Sequence, residues 1–258
     1  PSLPQELPAY DEARYKVGFF VGCAQDLFFS PACRASIEVL RHNGCQVVTF
    51  PGQVCCGKPL SAYGQQEAAR ELARRNLTAL ESASLDAVVT DCATCGSFLR
   101  GYPELLEGET KWAERAAALG HRVMEVSQFL SAIPLREGRN EMKLRATYHI
   151  PCHLGRGLGG GEAPYRILEA VPGVEVKAMA EADACCGGAG DYLFRHPHLS
   201  HHILDRKMAS IADTGASVVV TSCPACRLQL LYGLRRHGIK AQVAYPQELL
   251  LRSYQHLP

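Results

Sequence analysis

The sequence predicts an α/β protein of two tandem related modules, each a small parallel sheet flanked by helices. Two observations predict this fold class. Ten of the 12 cysteines form two matching series displaced by 129 to 131 residues, and short β-branched runs in each half alternate with longer segments of helical spacing. That alternation is typical of parallel strands joined by crossover helices. At 258 residues, each half is long enough to bury a core of its own.

The cysteine series define the repeat. The first series is Cys23, Cys55, Cys56, Cys92 and Cys95, and the second is Cys152, Cys185, Cys186, Cys223 and Cys226. Gly57 and Gly187 each follow a Cys-Cys pair at the same displacement. A nearly constant displacement over ten residues indicates an internal duplication. We therefore expect a linker or tail over residues 1–14, a first module over 15–135 and a second module over 136–258.

The elements of the first half follow from its apolar runs. Strands are predicted at Lys16–Val21, Gln46–Phe50 and Ala87–Thr90, and helices at Ala32–His42, Gln65–Ser82 and Cys95–Leu106. The second half repeats this order, with strands at Thr147–Ile150, Val174–Ala178 and Val218–Thr221 and helices at Pro164–Ala170, His198–Thr214 and Ala225–His237.

Cysteines follow the predicted strands directly. In an open parallel sheet the carboxyl ends of the strands lie along one edge, where ligands bind. The five cysteines of each series are therefore expected to meet at such an edge. The Cys-x-x-Cys pairs also open predicted helices, whose dipoles lower thiol pKa values and favour metal binding.

The arrangement favours an iron-sulfur cluster over other thiol sites. Structural zinc is usually held by two closely spaced pairs, whereas each series has one adjacent pair, one Cys-x-x-Cys and a distant fifth cysteine. Zinc and a redox-active thiol pair remain alternatives. Five thiolates exceed the four that a cubane needs, so either one cysteine is not a ligand or the cluster is noncubane. Cys33 and Cys45 lack counterparts and are predicted to be buried core thiols. His149 and His153, which flank Cys152, are candidates to hydrogen-bond cluster sulfur.

The charge distribution argues against a nucleic-acid partner, and the length of the apolar runs argues against a transmembrane segment. Lys and Arg number 27 against 26 Asp and Glu, without a basic stripe, so nucleic acid is not expected. The apolar runs fall short of the roughly 20 residues that span a bilayer, so no transmembrane segment is expected.

The pattern of Cys, Cys-Cys-Gly and Cys-x-x-Cys resembles the cysteine-rich CCG domain. Two in tandem resemble the cysteine-rich subunits of heterodisulfide reductase and the glycolate oxidase and lactate-utilisation iron-sulfur subunits. The segments FFVGCAQ, CCGGAGDYLFRHP, TSCPACRLQLLYGLRRHG and YPQELL are most similar to the glycolate and lactate branch. The completeness of both cysteine sets is instead similar to heterodisulfide reductase, in which such sets hold noncubane [4Fe-4S] clusters.

This resemblance implies up to two [4Fe-4S]-type clusters, cubane or noncubane, and two redox functions. One is an electron-transferring subunit of a lactate or glycolate oxidoreductase, and the other is a catalytic disulfide reductase; a zinc-bound structural module is the third hypothesis. The implied partners are a flavoprotein subunit, a ferredoxin-type iron-sulfur protein or domain, and a quinone or membrane-bound acceptor reached through them. We expect a cytoplasmic location, with membrane association only through partners, and the Pro-rich opening to be a linker from a ferredoxin domain.

Overall fold

The computed structural model describes residues 4–254, which divide between Pro134 and Leu135 into two compact units. The first unit has strands β1 Glu6–Leu7, β2 Tyr15–Phe19, β3 Cys45–Val48, β4 Ala87–Thr90 and β5 Val123–Glu125. Its helices are α1 Cys23–His42, α2 Lys58–Ala62, α3 Gln66–Leu80, α4 Ala93–Arg100, α5 Tyr102–Leu105, α6 Thr110–Gly120 and α7 Val126–Ser131.

The second unit repeats the central part of this architecture. Its strands are β6 Leu144–Tyr148, β7 Val174–Val176, β8 Val218–Val220 and β9 Gln242–Ala244. Its helices are α8 Ala163–Glu169, α9 Tyr192–Arg195, α10 Pro197–Ala212, α11 Pro224–Arg236 and α12 Pro246–Tyr254, with a short π-helical segment at His153–Gly157. The predicted fold class, two related α/β modules with parallel sheets, is confirmed.

Strand order explains how distant cysteines can meet. Among the described residues the first sheet runs β1-β3-β2-β4-β5 and the second β7-β6-β8-β9. All neighbours are parallel except β1, which pairs antiparallel with β3. In each unit the strand that precedes the first cysteine therefore lies between the strands that precede the Cys-Cys and Cys-x-x-Cys motifs. Their carboxyl ends are adjacent at one edge.

The strands form because their β-branched and aromatic residues are buried. Val17, Phe19, Val88 and Val89 of the first sheet are completely inaccessible to solvent. Strands buried on both faces read as continuous apolar runs, which is how the sequence presents them. Helix α1 packs against β3, and α4 packs against β4 and β5. No helix of residues 4–254 combines the length and apolarity needed to cross a membrane.

Two helices differ from their predicted bounds by more than two residues. Helix α1 begins at Cys23 instead of Ala32, with a kink at Phe29 (φ −137°, ψ 40°) just before Pro31. A proline is expected to begin a helix, and here it lies in the first turn after the kink. The segment predicted as one helix over Cys95–Leu106 is divided at Gly101 into α4 and α5, with Pro103 in the first turn of α5. Strands β1, β5 and β9 were not predicted: β1 has two residues, and β5 and β9 each contain a single β-branched residue.

Glu125 gives the first unit a pH-dependent stability. Its buried carboxylate accepts from the Ser127 amide at 2.7 Å in a capping box that also includes Gln128. Burial, with a further contribution from the charge of Asp91, raises its pKa from 4.5 to about 8. The unfolded chain therefore loses this proton at lower pH than the folded chain, so the free energy of unfolding falls as pH rises from about 5 to 8.

We expect Glu125→Gln to remove this decline, because glutamine keeps an acceptor for Ser127 and carries no charge. The measurement is the unfolding midpoint of wild type and variant between pH 5 and 7.5. The slope attributable to this group is at most about 1.4 kcal/mol per pH unit. Parallel pH profiles of the two proteins would show that Glu125 does not cause the decline.

Candidate metal centres

The first cysteine group comprises Cys23, Cys55, Cys56, Cys92 and Cys95. Cys23 begins α1 directly after β2, and the Cys55-Cys56 pair precedes α2. Cys92 is the N-cap of α4, where its sulfur accepts from the Cys95 amide at 3.5 Å. The structure thus brings all five predicted residues to the carboxyl edge of the first sheet.

Sulfur atoms of this group lie in a continuous set of contacts. The Sγ atoms of Cys23 and Cys55 are 3.8 Å apart. Cys56 contacts the thiols of both Cys55 and Cys95, and Cys95 contacts Cys92. Cys56, Cys92 and Cys95 are buried, while Cys23 is exposed. One side of the group is therefore open to solvent and the other is enclosed by the core.

This crowding controls the proton affinity of the thiols. Hydrogen bonds from Cys23 and Cys56 lower the pKa of Cys55. The bond to Cys55, with burial, raises the pKa of Cys23, and contacts with Cys56 and Cys92, with burial, raise the pKa of Cys95. Five thiolates this close are stable together only if positive charge neutralises them. Iron ions would supply that charge, and an all-sulfur donor set suits a cluster.

The second cysteine group comprises Cys152, Cys185, Cys186, Cys223 and Cys226. Cys152 follows β6 and Cys223 is the N-cap of α11. Cys186 contacts Cys185 and Cys226, whose hydrogen bonds lower the pKa of the Cys186 thiol; the nearby His149 lowers it further. Cys226 also contacts Cys223. Burial raises the pKa of Cys152, as do the charges of Cys223 and Cys186, so this residue also faces the group.

The two candidate histidines differ in position. His149 is buried, and a ring nitrogen lies within 4.8 Å of the sulfurs of Cys186 and Cys226. His153 is in the π-helical segment, with its Nδ1 4.0 Å from the Cys152 sulfur. Cys33 and Cys45 are buried in α1 and β3, as predicted for core thiols.

Glycines leave room beside the sulfurs. A Cβ atom at Gly22 would lie 3.5 Å from the Cys95 sulfur, and one at Gly188 would lie 3.5 Å from the Cys186 sulfur. Gly57 and Gly187, which follow the Cys-Cys pairs, have φ values of 95° and 83°. That backbone conformation is accessible to glycine at little cost. Both cysteine pairs are therefore followed by the same turn.

Polar residues from helices later in the chain hold each Cys-Cys loop. Asn76 of α3 accepts from the Val54 amide at 2.9 Å and donates to the Cys55 carbonyl at 3.0 Å. The Tyr102 hydroxyl donates to the Cys56 carbonyl at 2.7 Å. In the second unit, Lys207 of α10 donates from Nζ to the carbonyls of Glu181 and Ala182 at 2.5 and 3.4 Å. These contacts fix the loops that carry the cysteines.

Sequence reasoning missed Asn76, Tyr102 and Lys207. Each lies far along the chain from the loop that it holds, in a helix that shows only amphipathic spacing. One signal was present: Lys207 is displaced from Asn76 by the same 131 residues that separate Cys223 from Cys92. The duplication therefore aligns these two buried polar residues.

Comparison with known proteins gives a family and several relatives. The model of the CCG cysteine-rich domain matches residues 17–100 and 146–231. The chain is 35% identical over 257 residues to the probable glycolate oxidase iron-sulfur subunit of Bacillus subtilis (strain 168), covering 98% of this chain but 58% of that relative. It is 31% identical over 236 residues to lactate utilization protein A of Geobacillus sp. (strain WCH70), covering 91% of this chain and 98% of the relative.

One solved structure has a similar fold. A hypothetical protein from Helicobacter pylori superposes with a TM-score of 0.65 at 8% sequence identity, covering 98% of this chain and 53% of that one. At that identity the likeness concerns the fold alone. The family match covers the strand-end segments that carry all ten cysteines of the two groups. The chain belongs to the CCG cysteine-rich domain family and contains the domain twice.

Proposed function

We propose that this chain is the iron-sulfur subunit of an oxidoreductase that oxidises a 2-hydroxy acid, lactate or glycolate, and that it transfers electrons between partner proteins. One observation carries the proposal. Two groups of five cysteines lie at equivalent edges of two related sheets, in a chain similar to relatives named as an iron-sulfur subunit of glycolate oxidase and as a lactate utilization protein. The domain bounds 15–135 and 136–258 belong to the same proposal.

The ten cysteines are the proposed ligands, five to each cluster. A [4Fe-4S]-type cluster, cubane or noncubane, supplies one-electron redox chemistry when bound. The chain supplies the rest: buried cysteines that hold the cluster within the core, an exposed cysteine at the solvent side, and loop contacts from Asn76 and Lys207 that keep the sulfurs in place. His149 and His153 are the proposed hydrogen-bonding neighbours of the second cluster.

A flavoprotein is the proposed donor, and a ferredoxin-type protein or domain the proposed relay toward a quinone or membrane-bound acceptor. Electron transfer requires the partner to approach the clusters closely. Leu27 and Phe28 are 75% and 57% exposed and lie in the first turns of α1, directly after Cys23. Exposed large apolar side chains beside a cofactor site are typical of a docking surface.

We expect Phe28→Ser to slow electron transfer from the flavoprotein about tenfold, since it removes apolar contact area at the interface. Tyr232→Ser is the matched control, because Tyr232 is a comparably exposed aromatic residue at 43% on α11, two turns beyond Cys226. The rate of cluster reduction after mixing with flavoprotein and lactate or glycolate, at equal iron content, gives the comparison. Equal slowing by both substitutions would contradict a docking role for Phe28.

Reduction by the flavoprotein also tests the function itself. Anaerobically prepared protein should be reduced by flavoprotein plus 2-hydroxy acid, and by neither alone. Turnover of a disulfide with an artificial electron donor, without any flavoprotein, would instead establish a catalytic disulfide reductase. A colourless preparation that contains zinc and no iron would exclude both redox functions.

A further inference from the structure

The two units differ at one buried position beside the cysteines. The Phe20 amide donates to the Val89 carbonyl at 2.8 Å, and the His149 amide donates to the Val220 carbonyl at 2.9 Å. Each residue directly follows the central strand of its unit and precedes the first cysteine of its group by three positions. A phenyl ring in the first unit thus occupies the place of an imidazole in the second.

The imidazole of His149 faces the second cysteine group. The residue is 1% exposed, and among the described residues neither ring nitrogen has a partner that meets hydrogen-bond geometry, although the ring is close enough to the Cys186 thiol to lower the pKa of that thiol. The sulfurs of Cys186 and Cys226 lie within 4.8 Å of it. Burying a polar group without a partner costs about 1 to 3 kcal/mol. A neutral imidazole always has one N–H to donate, and the sulfur atoms held by this group are the acceptors that its position offers.

We propose that His149 donates a hydrogen bond to a sulfur atom of the cluster held by the second cysteine group, and that this bond gives the second cluster a higher reduction potential than the first. The inference rests on the proposed function in requiring a cluster in each group. Reduction adds one electron and increases the negative charge on sulfur, so an N–H donor stabilises the reduced form more than the oxidised form. Phe20 has no donor to offer the first cluster.

A second difference between the units also favours a higher reduction potential for the second cluster. Lys207 is 2% exposed and holds the loop before Cys185, whereas the equivalent Asn76 is uncharged. A buried ammonium near the sulfurs favours the more negative, reduced cluster. Burial lowers the pKa of Lys207, and the nearby charges of Cys186, Asp183 and Glu181 oppose that shift; Glu181 is itself ion-paired with Arg206. Lys58 of the first unit is partly exposed over the Phe98 ring, so solvent screens its charge more strongly.

The consequence is a defined order of reduction. When one electron from an external reductant such as dithionite enters the protein, the second cluster is reduced and the first remains oxidised. A second electron then reduces the first cluster.

The test is an anaerobic redox titration of the full chain, followed by EPR. Cys95→Ser and Cys186→Ser assign the two midpoints, since each variant retains one cluster. His149→Phe is expected to lower the midpoint potential of the second cluster. At a given potential the ratio of reduced to oxidised second cluster should fall about tenfold, which corresponds to about 59 mV for one electron. The first midpoint stays unchanged. Phe20→His is expected to raise the first midpoint and leave the second unchanged.

His149→Gln keeps an N–H donor and should recover part of the lost potential. Unchanged midpoints in both His149→Phe and Phe20→His, at wild-type iron and sulfide content, would overturn the proposal. So would a strongly coupled nitrogen in pulsed EPR of the wild type, since it would make His149 a ligand. If His149→Phe loses its cluster, the midpoint potentials of Phe20→His and His149→Gln test the proposal in its place. Absence of iron-sulfur clusters in the wild type would instead refute the proposed function.

Discussion

Replacing Cys186 with serine is expected to remove the cluster of the second cysteine group while leaving that of the first. Cys186 is buried and contacts both Cys185 and Cys226, so its sulfur lies in the middle of the group. Each group belongs to a unit with its own sheet and core, so loss at one should not empty the other. We expect iron and acid-labile sulfide per chain to fall by about half.

Cys33→Ala provides the matched control. Cys33 is as deeply buried as Cys186, at 2% exposure, but lies within α1 and belongs to neither cysteine group. This substitution should leave iron and sulfide at the wild-type level, although the small cavity lowers stability by about 1 kcal/mol. Equal iron loss in both variants, or full retention in Cys186→Ser, would contradict the assignment of the ligands.

Gly187→Ala is expected to destabilise the second unit strongly. Gly187 has φ +83°, and a Cβ there would lie 2.6 Å from the carbonyl oxygen of Ser200. The same Ser200 donates from its hydroxyl to the Gly187 carbonyl at 2.8 Å, so the backbone has little freedom to move away. Backbone strain and the clash together should cost about 3 kcal/mol or more and displace the adjacent Cys185-Cys186 pair.

Gly238→Ala is the control that measures the cost of backbone strain without the contact that Gly187→Ala makes with Ser200. Gly238 has φ +63°, and an added methyl group would meet no atom within 4 Å, so only the conformational cost of about 1 kcal/mol applies. Denaturant unfolding of the iron-loaded protein and the iron content of each variant are the measurements. Gly57→Ala should be intermediate, because its Cβ would lie 3.4 Å from the Ala69 carbonyl oxygen. Equal losses at Gly187 and Gly238 would show that the contact with Ser200 is unimportant.

The central architecture could be predicted because it depends on local patterns that occur twice. β4 has the bounds predicted for it, and β2, β3 and β6 differ by a few residues. Strand-end placement also predicted that residues as distant as Cys23 and Cys92 would meet. The short strands β5 and β9 escaped prediction because each contains a single β-branched residue, and their strand conformation depends on pairing with β4 and β8.

The polar surroundings of the cysteines could be predicted only in part. His149 was a candidate from its closeness to Cys152 in sequence, but its contact with Cys186 and Cys226 depends on the sheet. Asn76 reaches the Cys55 carbonyl across 21 residues, and Lys207 reaches the Glu181 carbonyl across 26. Such contacts arise from helix packing, which a local pattern does not specify. The buried Glu125 carboxyl was also missed, because acidic residues are usually exposed.

The central claim is that each cysteine group holds an iron-sulfur cluster. Its most direct test is quantitative iron and acid-labile sulfide analysis of anaerobically prepared full-length chain, combined with EPR of the reduced protein. We expect iron and sulfide sufficient for two clusters per chain, about four of each per cluster, with two separable EPR signals. A single cubane signal, or stoichiometric zinc without sulfide, would contradict the claim.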